Sequence, residues 1–176
     1  MRNQLLIIYK WPSSCIIWDK SSSNFLYTFA QTNCSVLIIV SGNQILLAHF
    51  NKVNISTFSA LDSLYSKILS MSNNYTKDIN IYIVSNFTPS ILQYCNRLIN
   101  SMLLLDIDIN IYFHEKPSDQ IYNIKCDLNS GRILYYSCNK SLRDVYPNGA
   151  YAYPLDTDPF RVLSFERVRL NKEKVL

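Results

Sequence analysis

The sequence predicts an α+β fold: a layered, mixed and antiparallel-rich β-sandwich core flanked by two main helices. Short runs of β-branched and aromatic residues, separated by polar turns, indicate several strands. Two longer segments carry apolar residues at helical spacing and indicate the helices. With 176 residues and a hydrophobic fraction of 48%, the chain has enough apolar surface for one core without disulfides. We therefore expect a single domain over 1–176.

The hairpin predicted at 35–50 is the clearest β signal in the chain. Residues 35–40 and 44–50 are apolar runs on either side of Ser41-Gly42-Asn43, a typical hairpin turn. Both faces of the two runs are apolar, which predicts strands inside a sheet that is covered on both sides. The strands predicted before this hairpin are 4–9, 15–18 and 25–30.

The two predicted helices occupy the middle of the chain. In 57–71, apolar residues recur at helical spacing behind Ser56 or Thr57 as the N-cap. In 88–103, Thr88 is the expected N-cap and Pro89 the first helical residue. The remaining predicted strands are 79–85, 107–113, 121–127 and 132–136, the last two joined by a turn at 128–131.

Composition weighs against several classes of function. The chain has only 3 glycines and neither a GxGxxG nor a GxxxxGK[ST] string, so a phosphate-binding loop is not expected. The net charge of +4 is dispersed, and acidic residues interrupt its densest basic stretch at 161–174, so we expect no nucleic-acid partner. No apolar run approaches the ~20 residues of a membrane helix, so we expect no membrane partner.

The cysteines and histidines predict reduced thiols and no bound metal. Five cysteines form an odd, widely spaced set with no CxxC pair, which favours reduced thiols in a cytoplasmic compartment over disulfides or a zinc site. Only two histidines, His49 and His114, are present to serve a nucleophile. We expect neither a metal nor an organic cofactor.

The predicted hairpin can build a Cys–His pair by itself. If Gly42-Asn43 is a two-residue turn, Val36 lies opposite His49, and Cys34 is the diagonal neighbour of His49 on the same face. Diagonal neighbours are about 7–8 Å apart at the backbone, within reach of side chains. An imidazole close to a thiol favours the thiolate, which is the nucleophilic form. Thr28, on the preceding strand, can orient the ring. The alternative is a buried cysteine beside an ordinary polar histidine.

Thr28-x5-Cys34, followed by a strand, a turn and His49, resembles the cysteine glutamine deamidases. This family includes the chemoreceptor deamidase CheD, cytotoxic necrotizing factor and the Burkholderia lethal factor. The similarity to CheD extends over about 25–137, through Asn96-Arg97-Leu98 and the closing hairpin, and leaves 138–176 as an irregular C-terminal extension. Thr32-Asn33 stand before Cys34 where the family has glycine or Ser-Gly. The resemblance therefore implies a divergent member, such as a bacterial effector or toxin domain.

The resemblance implies acyl transfer on a protein glutamine. Cys34 would attack the side-chain amide, His49 would protonate the departing ammonia and then activate water, and Thr28 would orient His49. The backbone N–H groups of Cys34 and Asn33 would bind the oxyanion. The expected partner is a protein bearing a surface glutamine, a host protein if the chain is an effector released into the host cytoplasm, and the chain itself is expected to be a monomer.

Two other functions are open at this point. One is a non-catalytic protein-binding module on a deamidase fold. The other is a cysteine protease or transglutaminase that uses the same Cys34–His49 dyad. A papain-type protease places its cysteine at a helix N-terminus, whereas Cys34 precedes a strand, which ranks the protease behind the deamidase.

Overall fold

The computed structural model describes twelve separate stretches of the chain, and for several of these residues, His49 among them, it describes only the backbone. The described residues are 6–10, 20–21, 25–31, 34–41, 44–50, 78–86, 93, 97, 100, 108–127, 129–139 and 160–168. The strands in these stretches are β1 (Leu6–Lys10), β2 (Lys20–Ser21), β3 (Phe25–Gln31), β4 (Ser35–Ser41), β5 (Gln44–Phe50), β6 (Asp78–Ser85), β7 (Asp108–Glu115), β8 (Gln120–Asp127), β9 (Ile133–Asn139), β10 (Arg161–Val162) and β11 (Glu166–Arg167).

These strands form two sheets. The larger sheet has six strands in the order β1-β5-β4-β6-β7-β11, in which β1 with β5 and β6 with β7 are the parallel pairs. The smaller sheet has five strands in the order β10-β9-β8-β3-β2, all antiparallel. The chain therefore crosses between the sheets from β1 to β2, from β3 to β4, from β7 to β8 and from β10 to β11.

The predicted internal hairpin is confirmed. β4 and β5 pair from Ser41 with Gln44 to Ser35 with Phe50, and β4 also pairs with β6 on its other side. Every side chain of β4 is buried except Val40, which is half-buried. A continuous run of apolar residues suits this position, because a strand with neighbours on both edges and a covered surface on both faces never meets water.

The main core lies between the two sheets. Alternate residues of each strand point to the same face, so Val36 and Ile38 of β4 meet Leu26 of β3 and Ile124 of β8 across the interface. The C-terminal stretch closes this core, because Leu163, between β10 and β11, is buried in it and its N–H donates to the carbonyl of Ile133 at 2.9 Å. The remaining buried members of the cluster are Leu47, Val84, Tyr122, Cys126 and Ile133.

The larger sheet is buried on its second face as well. Leu37 and Ile39 alternate with the core-facing residues of β4, and Ile81 and Ile83 are their partners on β6. All four side chains are at most 2% exposed. The prediction of a sheet covered on both sides is therefore confirmed at β4 and β6.

The predicted fold class needs correction. The α+β class depended on two main helices at 57–71 and 88–103, of which the first lies outside the described residues. In the second range the described positions, Gln93, Arg97 and Asn100, are helical and exposed. All other regular structure in the described chain is strand, so an α+β fold flanked by two main helices is wrong for it. Its runs of Ile, Val and Tyr pair into long ladders, and sheet-on-sheet packing forms the core.

The predicted later strands agree with the structure. β6, β7, β8 and β9 cover the predicted strands to within a few residues, and the turn of the last hairpin is closed by the N–H of Gly131, which donates to the Asp127 carbonyl at 2.8 Å. Gly131 has a φ of 69°, which a residue without Cβ adopts at little cost. The range 138–176, predicted to be irregular, contains the end of β9 as well as β10 and β11. The predicted strand 15–18 lies outside the described residues.

Candidate functional site

The β4–β5 hairpin sets Cys34 against His49 in the predicted register. Val36 pairs with His49, and Ser35 pairs with Phe50, so Cys34 directly precedes the last pair of the ladder. The turn residues and the His49 side chain lie outside the description, but the backbone register alone fixes the diagonal relation between positions 34 and 49. The register on which the predicted Cys–His pair depends is therefore confirmed.

Cys34 lies directly before the start of β4. It is half-buried, forms no disulfide and precedes the first residue of that strand. Asn33, the second residue predicted to bind an oxyanion through its backbone, lies outside the described residues. The N–H of Cys34 lies one residue before Ser35, which forms the last pair between β4 and β5.

Thr28 lies in the other sheet. It is on β3, paired with Ile124 of β8, and its side chain is fully buried. The pairing of β3 with β8 shifts between Thr28 and Gln31, so the strand is irregular directly after Thr28. Strands β3 and β5 approach within 8 Å at their Cα atoms across the two sheets. The structure therefore brings together β3, β4 and β5. Thr28 lies on β3, His49 lies on β5, and Cys34 directly precedes β4.

The end of β6 joins this site, and sequence reasoning does not include it. Val36 pairs with Val84, and continuing this antiparallel register by two residues sets Cys34 opposite Asn86. Alternation along both strands places Cys34 and Asn86 on the face that carries Val36 and Val84. No sequence signal identifies this neighbour, because β4 and β6 are about fifty residues apart and are not joined by a hairpin.

A hydrogen bond between two side chains holds the end of β6 beside the start of β4. The buried hydroxyls of Ser35 and Ser85 lie 2.5 Å apart, and the Ser85 hydroxyl also donates to the Asn86 carbonyl at 3.1 Å. Because Ser85 has one hydroxyl proton, Ser35 is then the donor between the two hydroxyls. On the other side of β6, the N–H of Lys116 donates to the Ser85 carbonyl at 2.8 Å. Ser85, the residue directly before Asn86, is therefore held by contacts with β4 on one side and with the residue after β7 on the other.

The side chain of Asn86 is not satisfied. Its Oδ1 atom is buried and has no hydrogen-bond partner among the residues that the structure describes. A buried amide oxygen without a donor costs about 1–3 kcal/mol. Such groups are rare in folded proteins and call for an explanation, of which a catalytic role is one.

His114, the second histidine, has a structural environment. Its Nδ1 lies 2.8 Å from the Ser164 carbonyl, and its Nε2 lies 3.2 Å from the Tyr122 hydroxyl. Burial, and then the neighbouring Tyr135, raises the pKa of Tyr122 to about 12, so this hydroxyl keeps its proton. Both ring nitrogens therefore have hydrogen-bond partners. Through them, His114 links β7 to β8 and to the C-terminal stretch.

The other described cysteines differ from Cys34 in their surroundings. Cys126 is buried between the sheets, and burial raises the pKa of its thiol to about 12. Burial also raises the pKa of the half-buried Cys138. A raised pKa disfavours the nucleophilic thiolate at neutral pH for both thiols.

Comparison with known proteins adds no identification. No family model matches the chain, and no curated protein matches it in sequence.

Within the described residues, no group of three or more His, Cys, Asp and Glu side chains is arranged to hold a metal ion. The described part of the chain also has no helix with the length and hydropathy to span a membrane.

Proposed function

We propose that this chain is a protein-glutamine deamidase with Cys34 as its nucleophile. The observation that carries the proposal is the register of the β4–β5 hairpin, in which Val36 pairs with His49 and Cys34 follows on the diagonal. On that diagonal, the half-buried Cys34 lies at a backbone separation from position 49 that side chains can bridge, which supports activation of its thiol by an imidazole.

The reaction forms and breaks a thioester. The Cys34 thiolate attacks the carbon of a glutamine carboxamide, and the electron pair of the C=O bond moves to oxygen. His49 gives a proton to the nitrogen, the C–N bond breaks and ammonia leaves. His49 then takes a proton from water, which attacks the thioester and releases glutamate and the thiol. Thr28 positions His49, a role that suits a buried hydroxyl on a strand facing β5.

The substrate we propose is a partner protein with a surface glutamine, and the chain acts as a monomeric effector or toxin domain without a metal or organic cofactor. An exposed glutamine on a folded partner suits Cys34, which is half-buried and lies directly before the start of β4. If an amine replaced water in the second step, the same residues would transamidate the glutamine.

The rate of alkylation by iodoacetamide tests the activation of Cys34. Free cysteine, with a pKa of about 8.5, is only a few per cent thiolate at pH 7, so an imidazole partner should speed alkylation about tenfold. We expect Cys34 to react about tenfold faster than a cysteine peptide at pH 7, and His49→Ala to remove this difference. Sites of modification are read by peptide mass spectrometry.

Two matched controls accompany this test. Cys138 has an exposure similar to that of Cys34 but a raised pKa, so it should react more slowly than the peptide. His114→Gln removes the other histidine and should leave the rate at Cys34 unchanged. If Cys34 reacts no faster than the peptide and His49→Ala changes nothing, the enzyme proposal is wrong and a non-catalytic binding module replaces it.

A further inference from the structure

We propose that the side-chain amide of Asn86 is an oxyanion donor of the Cys34 site. This inference rests on the proposed function and adds a catalytic residue to it. When the Cys34 thiolate attacks a carboxamide or ester, the carbonyl oxygen gains a full negative charge and needs N–H donors at hydrogen-bond distance. Asn86 Nδ2 supplies one donor, beside the backbone N–H of Cys34.

Strand register carries the placement of Asn86. The pairs from Val40 with Asn80 to Val36 with Val84 are unbroken, and their continuation sets Asn86 directly opposite Cys34. Residues directly opposite each other in an antiparallel ladder lie about 4.5–5.5 Å apart at Cα and share a face. The Ser35–Ser85 hydroxyl contact, one residue before this position, shows that the two strands still run side by side there.

The side-chain amide of Asn86 has an unsatisfied atom. Its Oδ1 is buried and has no hydrogen-bond partner within the described part of the chain. The amino group is the half of an amide that donates hydrogen bonds, so the contact with the oxyanion belongs to Nδ2. Asparagine side chains serve as oxyanion donors in other hydrolases, and the loss of such a donor costs about 10²–10³-fold in the rate of the acyl step.

Two reagents separate this role from the activation of the thiol. p-Nitrophenyl acetate acylates a cysteine through a tetrahedral oxyanion, whereas iodoacetamide alkylates it by displacement without one. In the full chain we expect Asn86→Ala and the isosteric Asn86→Asp to slow acylation of Cys34 by about 10²–10³-fold. Alkylation of Cys34 should change less than twofold in both variants. Release of p-nitrophenolate and peptide mass spectrometry give the two rates.

Asn80→Ala is the matched control, since Asn80 lies on the same strand at its far end, where its Oδ1 accepts from Asn110 Nδ2 at 3.2 Å. Neither rate should change in this variant. If Asn86→Ala and Asn86→Asp leave the ratio of acylation to alkylation at its wild-type value, the inference is wrong while the proposed function stands. If wild-type Cys34 matches a free cysteine in both reactions, the proposed function itself fails.

Discussion

Burial separates the chemistry of the described cysteines. Cys126 is 2% exposed between the sheets, and burial raises the pKa of its thiol to about 12. A thiol in that environment is a small apolar side chain rather than a nucleophile. Cys34 stands at the edge of the same core, half-buried and one residue before β4. Burial therefore distinguishes Cys126 from Cys34.

The buried thiol of Cys126 predicts a loss of stability at alkaline pH. Up to about pH 9 the thiol is protonated in both folded and unfolded states, so it has no effect on the pH dependence. Between about pH 9 and 12 the unfolded state releases a proton that the folded state keeps. The free energy of unfolding should then fall by up to ~1.4 kcal/mol per pH unit from this group.

Urea unfolding of the wild type and Cys126→Ala at pH 8, 9 and 10 under reducing conditions measures this effect. Cys126→Ala leaves a cavity whose cost does not vary with pH, so only the slope against pH reports the thiol. We expect a shallower slope in the variant above pH 9. Equal slopes in the two proteins would show that the Cys126 thiol titrates alike in the folded and unfolded states.

The residues of the candidate site differ in how far sequence predicts them. The diagonal between Cys34 and His49 is predictable because a tight turn fixes the register of a hairpin. Asn86 is not predictable, because its position beside Cys34 requires the pairing of β4 with β6, which no turn connects. Thr28 falls between these cases: the preceding strand is visible in the sequence, but its membership of the other sheet is not.

At the scale of elements, the Ser35–Ser85 contact holds β4 and β6 together next to Cys34. Ser35 and Ser85 are each only 3% exposed, so neither hydroxyl has water as an alternative partner. The Ser85 hydroxyl donates its proton to the Asn86 carbonyl. It therefore accepts a hydrogen bond from the Ser35 hydroxyl. Removal of Ser85 therefore leaves the Ser35 proton without its acceptor.

This arrangement predicts strong coupling between the two serines. Ser85→Ala should destabilise the protein by about 1–3 kcal/mol because the buried Ser35 hydroxyl loses its partner. Ser35→Ala should cost less, since Ser85 keeps its bond to the Asn86 carbonyl. In the double variant we expect the loss to be smaller than the sum of the single losses by about 0.5–3 kcal/mol.

A double-mutant cycle by urea unfolding measures this coupling. Ser41→Ala, at the opposite end of β4, is the control, and its effect should add to that of Ser85→Ala. Additive losses for Ser35→Ala and Ser85→Ala would mean that the two hydroxyls do not interact in solution.

At the scale of the whole molecule, sequence predicts strands better than it predicts how they assemble. Runs such as Ile79–Ser85 and Ile107–Phe113 predict strands by themselves, because they are rich in β-branched and aromatic residues. Their parallel pairing as β6 and β7, and the division of the strands into two sheets, depend on contacts between distant parts of the chain. The predicted α+β class is wrong at this level, because packing of one sheet on the other, rather than of helices on a sheet, forms the core of the described chain.

The larger sheet is buried on both of its faces at β4. Ile38 points into the core between the sheets and Ile39 to the opposite face, and each is at most 1% exposed. If both faces are packed in solution, Ile38→Ala and Ile39→Ala should each lower the free energy of unfolding by about 2–5 kcal/mol. Val162→Ala, at a side chain that is 60% exposed, should change it by less than about 0.5 kcal/mol. Urea unfolding of the three variants decides the point, because a sandwich with an open outer face would lose stability at Ile38 alone and leave Ile39→Ala close to the Val162 control.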